Sequence, residues 1–212
     1  MTREAAEKKL NISIDKLPIV PLEEMLGPIP EISRGIKEEV YRKLVKPSGA
    51  CRYAAPPGSN WKGPNDGDLF FFAITPVLFD IVFTFGLQAK FYRAEAIDEE
   101  SQEREGMNLI KFREERYGLV IEAKQDNTWS GLKQLLLGMK DVAEHSGPVR
   151  EVYYGFTTTG VAWRMVDYDG KDFRISTEMD LVFDGMAENK DKWLKDCSVV
   201  VDCLHFGFTK SL

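Results

Sequence analysis

Between Tyr117 and Gly147 the chain changes its hydrophobic period once, and no other stretch constrains the fold as much. "YGLVIEA" places Leu119, Val120 and Ile121 in a short apolar, strand-forming run. In "NTWSGLKQLLLGMKDVAEHSG" the apolar residues Trp129, Leu132, Leu136, Met139 and Ala143 recur at helical spacing, which predicts a helix ending near Gly147. "REVYYGFTTTGVAWRMVDYDGKDFRIST" then reads as a β-meander. Its strands are expected at Val152 to Thr157, Val161 to Asp167 and Phe173 to Ser176, with Asp169-Gly170 as a hairpin turn. A helix is expected from about Ser33, its N-cap, to Lys46, with Pro47 just past the end. A closing helix is expected over 188–206. The order helix, strands, helix, strands, helix indicates an α/β or mixed α+β domain.

The 212 residues suffice for one large domain with an N-terminal extension. Residues 1–30 hold Pro18, Pro21, Pro28 and Pro30 without sustained periodicity, and are expected as an arm lying across the domain of residues 31–212. Residues 47–68 are dense in Pro, Gly, Asn and Asp and read as a long loop. The most apolar run, Leu69 to Leu87, approaches membrane-span length. Asp80, the Thr75-Pro76 break and many aromatic and β-branched residues instead indicate two successive buried strand segments. Residues 93–116 carry a charge run, expected as a hairpin tip or a short helix. Residues 1–10 are charged with no apolar core after them, so no secretory leader is expected. The sparse, odd set Cys51, Cys197 and Cys203 fits a reducing compartment, nuclear or cytoplasmic, better than a disulfide framework.

The chemistry concentrates where the apolar strand ends. Acidic-x-Lys occurs four times, at Glu7-Lys9, Glu122-Lys124, Asp169-Lys171 and Glu188-Lys190, but only Glu122 closes an apolar strand. Side chains alternate along a strand, so Glu122 and Lys124 are expected on one face, near the carboxyl end where open α/β sheets bind ligands. A structural ion pair at the strand exit is the plain alternative. Asp80 lies inside "VLFDIVFTF", and burying an ionised carboxylate without a partner costs several kcal/mol or more, so it needs a cation, hydrogen bonds or a proton. Asp80 either pairs with an Arg or Lys or approaches Glu122 to share a divalent ion. Oxygen-only ligation without histidine suits Mg²⁺ or Mn²⁺.

An Asp on one strand, followed by Glu-x-Lys closing the next and leading into a helix, resembles the PD-(D/E)xK nuclease superfamily. "VYYGFTTTGVAWRMVDYDG" is similar to fungal PD-(D/E)xK nuclease-like proteins and to restriction-endonuclease-like domains of Crinkler-type effectors. The resemblance covers roughly residues 31–206. It implies a restriction-endonuclease-like α/β core, a central mixed β-sheet flanked by helices, and hydrolysis of nucleic-acid phosphodiesters with DNA ahead of RNA. It also implies that Asp80 and Glu122 ligate Mg²⁺ or Mn²⁺ with help from the Ala123 carbonyl, and that Lys124 orients or deprotonates the attacking water. The family's acidic residue on the first helix maps to Glu38 or Glu39. A stripe of Ile32, Ile36, Glu39, Val40 and Lys43 favours Glu39 as the inward one, with a solvated helix face as the alternative. No Pro-Asp dipeptide precedes Asp80, and the long interval to Glu122 requires residues 93–116 to loop out.

Other chemistries have little to build with. Two histidines, His145 and His205, do not supply a zinc site or a Ser-His-Asp triad, and no phosphate-binding glycine motif is present. The net charge of -6 gives no global attraction to nucleic acid, so contact would rest on a metal or a local basic face such as Arg34, Lys37, Arg42, Lys43 and Lys46. Trp61, Trp129, Trp163 and Trp193 are expected in the core or at its rim, with base stacking by one of them as the alternative. Cutting both strands of a duplex needs two sites, which a homodimer would supply. The alternative function is a catalytically inactive nuclease-like module that binds nucleic acid or a protein partner.

Overall fold

A computed structural model describes residues 2–29, 31–45, 89–97, 104–112, 117–123, 127–145 and 151–210. The N-terminal segment read as an arm lying across the domain carries elements of its own. Helix α1 (Arg3–Leu10) starts where the Thr2 hydroxyl accepts from the Ala5 N–H at 3.3 Å and ends at Asn11, whose φ of 57° is the left-handed turn that stops a helix. Strand β1 (Ile19–Val20) follows, then the short helix α2 (Leu22–Leu26). Leu10, Ile14, Val20, Leu22 and Met25 from this segment are all buried.

Helix α3 (Arg34–Val45) forms as its periodicity predicts. Its inward residues are Lys37, Val40, Tyr41 and Leu44; of the expected stripe Ile32, Ile36 and Val40 meet the core, whereas Glu39 and Lys43 do not. Strands β2 (Ala89–Ile97) and β3 (Arg104–Phe112) pair antiparallel along their full length, Ala89 opposite Phe112 and Ile97 opposite Arg104. The described part of the charge run, residues 93–97 and 104–112, is therefore strand and not a short helix. These residues are hairpin arms, because cross-strand pairing outweighs a charged local sequence that carries no strand signal of its own.

Strand β4 (Tyr117–Ala123) pairs antiparallel with β3, and helix α4 (Leu132–His145) carries the chain to β5 (Tyr153–Thr158), which runs parallel to β4. Strands β6 (Ala162–Tyr168) and β7 (Phe173–Ser176) continue as an antiparallel meander, and β8 (Met179–Asp180) adds to β6. The turn between β6 and β7 is made at Asp169, whose Oδ1 accepts from the N–H groups of Lys171 at 2.9 Å and Asp172 at 2.8 Å, while Gly170 supplies a φ of 93°. Helices α5 (Lys190–Asp196) and α6 (Val199–Lys210) replace the one closing helix expected over 188–206. They break at Cys197 and Ser198, whose N–H groups both turn back to the Trp193 carbonyl.

Among the described residues the sheet order is β1-β7-β6-β5-β4-β3-β2, with β8 on β6; β1 and β8 are two-residue strands and the other six are full ones. The protein is thus an α/β domain with a mixed open sheet flanked by helices. Leu119, Ile121, Phe156, Trp163 and Met165 face α2, α3, α5 and α6. Val120, Val166, Tyr168, Phe173 and Ile175 face α1 and α4. Gly155 lies where α4 crosses β5; a Cβ there would come within 2.7 Å of Met139 Sδ and 2.8 Å of Leu135 Cδ1. Its missing side chain lets the helix lie close on the strand.

Candidate functional site

The parity of β4 decides where Glu122 points. It shares a face with Val120, hence the face covered by α4, and it lies near the carboxyl edge of the parallel β4–β5 pair. Register extends this into a row: Glu122 pairs with Thr157 on β5, and Thr157 pairs with Arg164 on β6. Paired residues on neighbouring strands present their side chains to the same face, so a carboxylate, a hydroxyl and a guanidinium stand side by side there. Glu122 is 1% exposed and Thr157 fully buried.

The three threonines of "GFTTTG" divide their work. Thr158 donates to the Ala162 carbonyl at 2.9 Å and accepts from the Gly160 N–H at 2.7 Å. Thr159 accepts from the Ala162 N–H at 3.0 Å. Together with Gly160 at a φ of 86°, they close the β5–β6 hairpin. Thr157 Oγ1 takes no part in this; it is buried with no hydrogen-bond partner among the described residues.

Arg164 is held on several sides. Its Nε lies 3.1 Å from Thr128 Oγ1 and 3.3 Å from Glu178 Oε2, and its Nη1 donates to the Ser176 carbonyl at 3.0 Å. The Thr128 hydroxyl in turn donates to Glu178 Oε2 at 2.7 Å. Arg164 Cζ stands 4.7 Å from the centre of the Trp129 ring. The turn leading into α4 is fixed by Asn127, whose Oδ1 accepts from the N–H groups of Trp129 and Ser130, each at 3.0 Å.

Of the residues expected in the site, Glu122 stands in it and Ala123 ends the same strand. Asp80 and Lys124 lie outside the described residues. Glu39 is not brought to Glu122. It sits half-exposed on α3, 3.7 Å from Arg42 Nη2 and 3.8 Å from Lys43 Nζ of its own helix, and α3 packs on the opposite face of the sheet. Lys37, expected on a basic surface face, is instead buried against Asp202. Thr157 and Arg164 were not expected in the site, although both lie in quoted strands. The usable signal was Arg164, a charge on the same strand face as Val166 and Tyr168.

Among the described residues no three His, Cys, Asp or Glu side chains converge as a metal-binding group, and no helix is long and apolar enough to cross a membrane. The oxygen donors on hand are the buried Glu122 carboxylate, the Thr157 hydroxyl in register beside it and, at the strand end, the Ala123 carbonyl. That chemistry fits a hard divalent cation. No family model, no curated protein and no solved structure matches the chain.

Proposed function

We propose that this chain is a PD-(D/E)xK-type nuclease that hydrolyses nucleic-acid phosphodiesters with Mg²⁺ or Mn²⁺. One observation carries the reading: Glu122, a carboxylate closing an apolar inner strand, is buried beneath the helix that follows and lies in register with Thr157 and Arg164. The order α3, antiparallel β2–β3–β4, α4 and parallel β5 supports it, since the strand that Glu122 helps to close is followed by a helix over a mixed sheet. Glu122, the Ala123 carbonyl and Asp80 are the residues that would hold the cation. When bound, the cation lowers the pKa of coordinated water and offsets charge on the scissile phosphate.

Lys124, outside the described residues, follows Glu122 by two positions in the sequence; its ammonium would orient the attacking water and stabilise developing phosphoryl charge. Thr157 lines the same row and is suited to orient a ligand oxygen, as donor or as acceptor. Arg164, neutralised in part by Glu178, closes the row toward Trp129.

The test is a substrate panel of plasmid, linear duplex, single-stranded DNA and RNA, each with Mg²⁺, Mn²⁺ or EDTA. Cleavage of at least one substrate that needs the metal, and that Glu122→Ala and Lys124→Ala each reduce by orders of magnitude, is expected. Cleavage of none would leave the catalytically inactive nuclease-like module.

A further inference from the structure

Two of the three tryptophans in the described residues, Trp163 and Trp193, are fully buried; Trp129 is 42% exposed. An exposed tryptophan on a loose loop would mean little, but this one is fixed. Asn127 clamps its backbone, and Arg164 stands over its ring. Arg164 is itself held by Thr128, Glu178 and Ser176, so the ring loses little freedom when something stacks on it. A guanidinium behind an aromatic ring that still reaches solvent makes a flat, pre-oriented surface, suited to a planar partner.

Position narrows the partner. Arg164 lies two strands from Glu122 in one register row, roughly 10 Å at the usual strand spacing. At the roughly 3.4 Å of axis per nucleotide of a fully stacked strand that distance is about three nucleotides, and it is fewer in an extended single strand. A ring so placed is within reach of a base near the phosphate at Glu122. Duplex bases are stacked on their neighbours and offer no free face, whereas an unpaired base does. With a negative net charge the chain offers no global attraction to the backbone, so the preference for an unpaired base falls to stacking.

We infer that Trp129, backed by Arg164, is a stacking platform for an unpaired nucleobase, which makes single-stranded nucleic acid the substrate class. The inference rests on the nuclease reading for what happens at Glu122, but base stacking is measurable without cleavage.

The experiment is fluorescence anisotropy in EDTA with a labelled oligothymidylate, a labelled single strand of mixed sequence and the duplex of that sequence. Wild type is expected to bind both single strands more tightly than the duplex. Trp129→Ala should weaken single-strand binding by roughly 5- to 150-fold, the cost of one lost stack, with little change for the duplex. Trp129→Phe should keep most of the affinity. Trp129→Leu, which retains an apolar side chain but no flat face, should behave like Trp129→Ala; thermal melts of all variants identify any that do not fold. Equal single-strand affinity in wild type and Trp129→Leu overturns the inference, as does a wild type that binds no single strand or shows no preference over duplex. Cleavage is assayed separately with Mg²⁺. Trp129-dependent binding without cutting sinks the nuclease reading and leaves the platform standing; metal-dependent cutting without single-strand preference does the reverse.

Discussion

Lys37 Nζ lies 2.7 Å from Asp202 Oδ2, a buried ion pair that joins α3 to α6. Glu31 adds a second contact to Lys37 at 3.0 Å, and Asp202 Oδ1 accepts from the Ile32 N–H at 3.0 Å. Burial is the larger influence on Asp202 and pushes its carboxyl above the usual range, with Lys37 and the Ile32 N–H pulling it back. Its contribution to stability is therefore full below its unfolded pKa and declines as pH rises through the raised folded value. Lys37→Met strands the carboxylate and should cost about 3–5 kcal/mol at pH 7. The cost should shrink toward pH 4 as Asp202 takes up a proton, and Lys37→Met/Asp202→Leu should recover much of it. Urea unfolding at the two pH values decides the matter; a cost that grows on acidification contradicts the buried-pair account.

Two glycines should respond to alanine with opposite sign. At Gly155 the new methyl meets Met139, Leu135 and, at 3.1 Å, the Val120 carbonyl oxygen, and backbone cannot swing aside. Gly155→Ala should destabilise by about 1–3 kcal/mol through overpacking and lift α4 from the sheet. Gly35 in α3 has nothing within 4 Å of an added Cβ, so Gly35→Ala should stabilise by up to about 1 kcal/mol. Equal melting temperatures for the two variants would mean that α4 is not seated as closely as described.

Thr157→Val tests whether the unpartnered hydroxyl belongs to a ligand or to the fold. A buried hydroxyl without a partner costs roughly 1–3 kcal/mol, so the near-isosteric valine should leave the melting temperature in EDTA unchanged or raised. If the hydroxyl serves the cation, the rise in melting temperature on adding Mn²⁺ should be smaller than in wild type, where occupancy at one hundred times the dissociation constant contributes about 2.7 kcal/mol. Lower stability in EDTA with an unaltered Mn²⁺ response assigns the hydroxyl to the fold alone.

The thiols carry a pH prediction of their own. Burial pushes Cys203 from an ordinary 9.0 up to about 12, with the charges of Asp202 and Glu23 acting the same way, and burial raises Cys197 as well. For a group raised on folding, the stabilising contribution is intact below the unfolded value and lost as pH climbs toward the folded one, here between about 9 and about 12. A thiol reagent at pH 8 should leave Cys197 and Cys203 unlabelled in the native protein and label both in urea, read by peptide mapping. The urea midpoint should fall between pH 9 and 11. Native labelling of Cys203 as fast as in urea would refute its burial.

Elements with their own local signal could be read from the sequence. Strand β7 and its Asp169-Gly170 turn follow from alternation plus a turn residue that needs positive φ, and α4 follows from its apolar period. Strand β1 could not be read so, because two residues have no period and exist as a strand only where Ile19 and Val20 meet Ile175 and Ser176. The same limit applies to the site. Glu122 was conspicuous as a charge ending an apolar run, while Thr157 and Arg164 become its neighbours only once register is set. Glu39 was misplaced because α3 sets Tyr41 and Leu44 inward beside Val40, which leaves Glu39 half-exposed.

The parallel pairing of β1 with β7 also orders events during synthesis. Ile19 and Val20 leave the ribosome long before Ile175 and Ser176, so the outermost strand of the sheet waits for nearly all the others before it has anything to add to. Until then Leu10, Ile14, Val20, Leu22 and Met25 have no finished core to enter, and they remain for that interval a sticky apolar leader on a growing chain. Nascent chains stalled before residue 173 should accordingly be cut by protease within the first 30 residues, and chains stalled well after residue 180 should not. The last full strand of the sheet is thus the latch for the first.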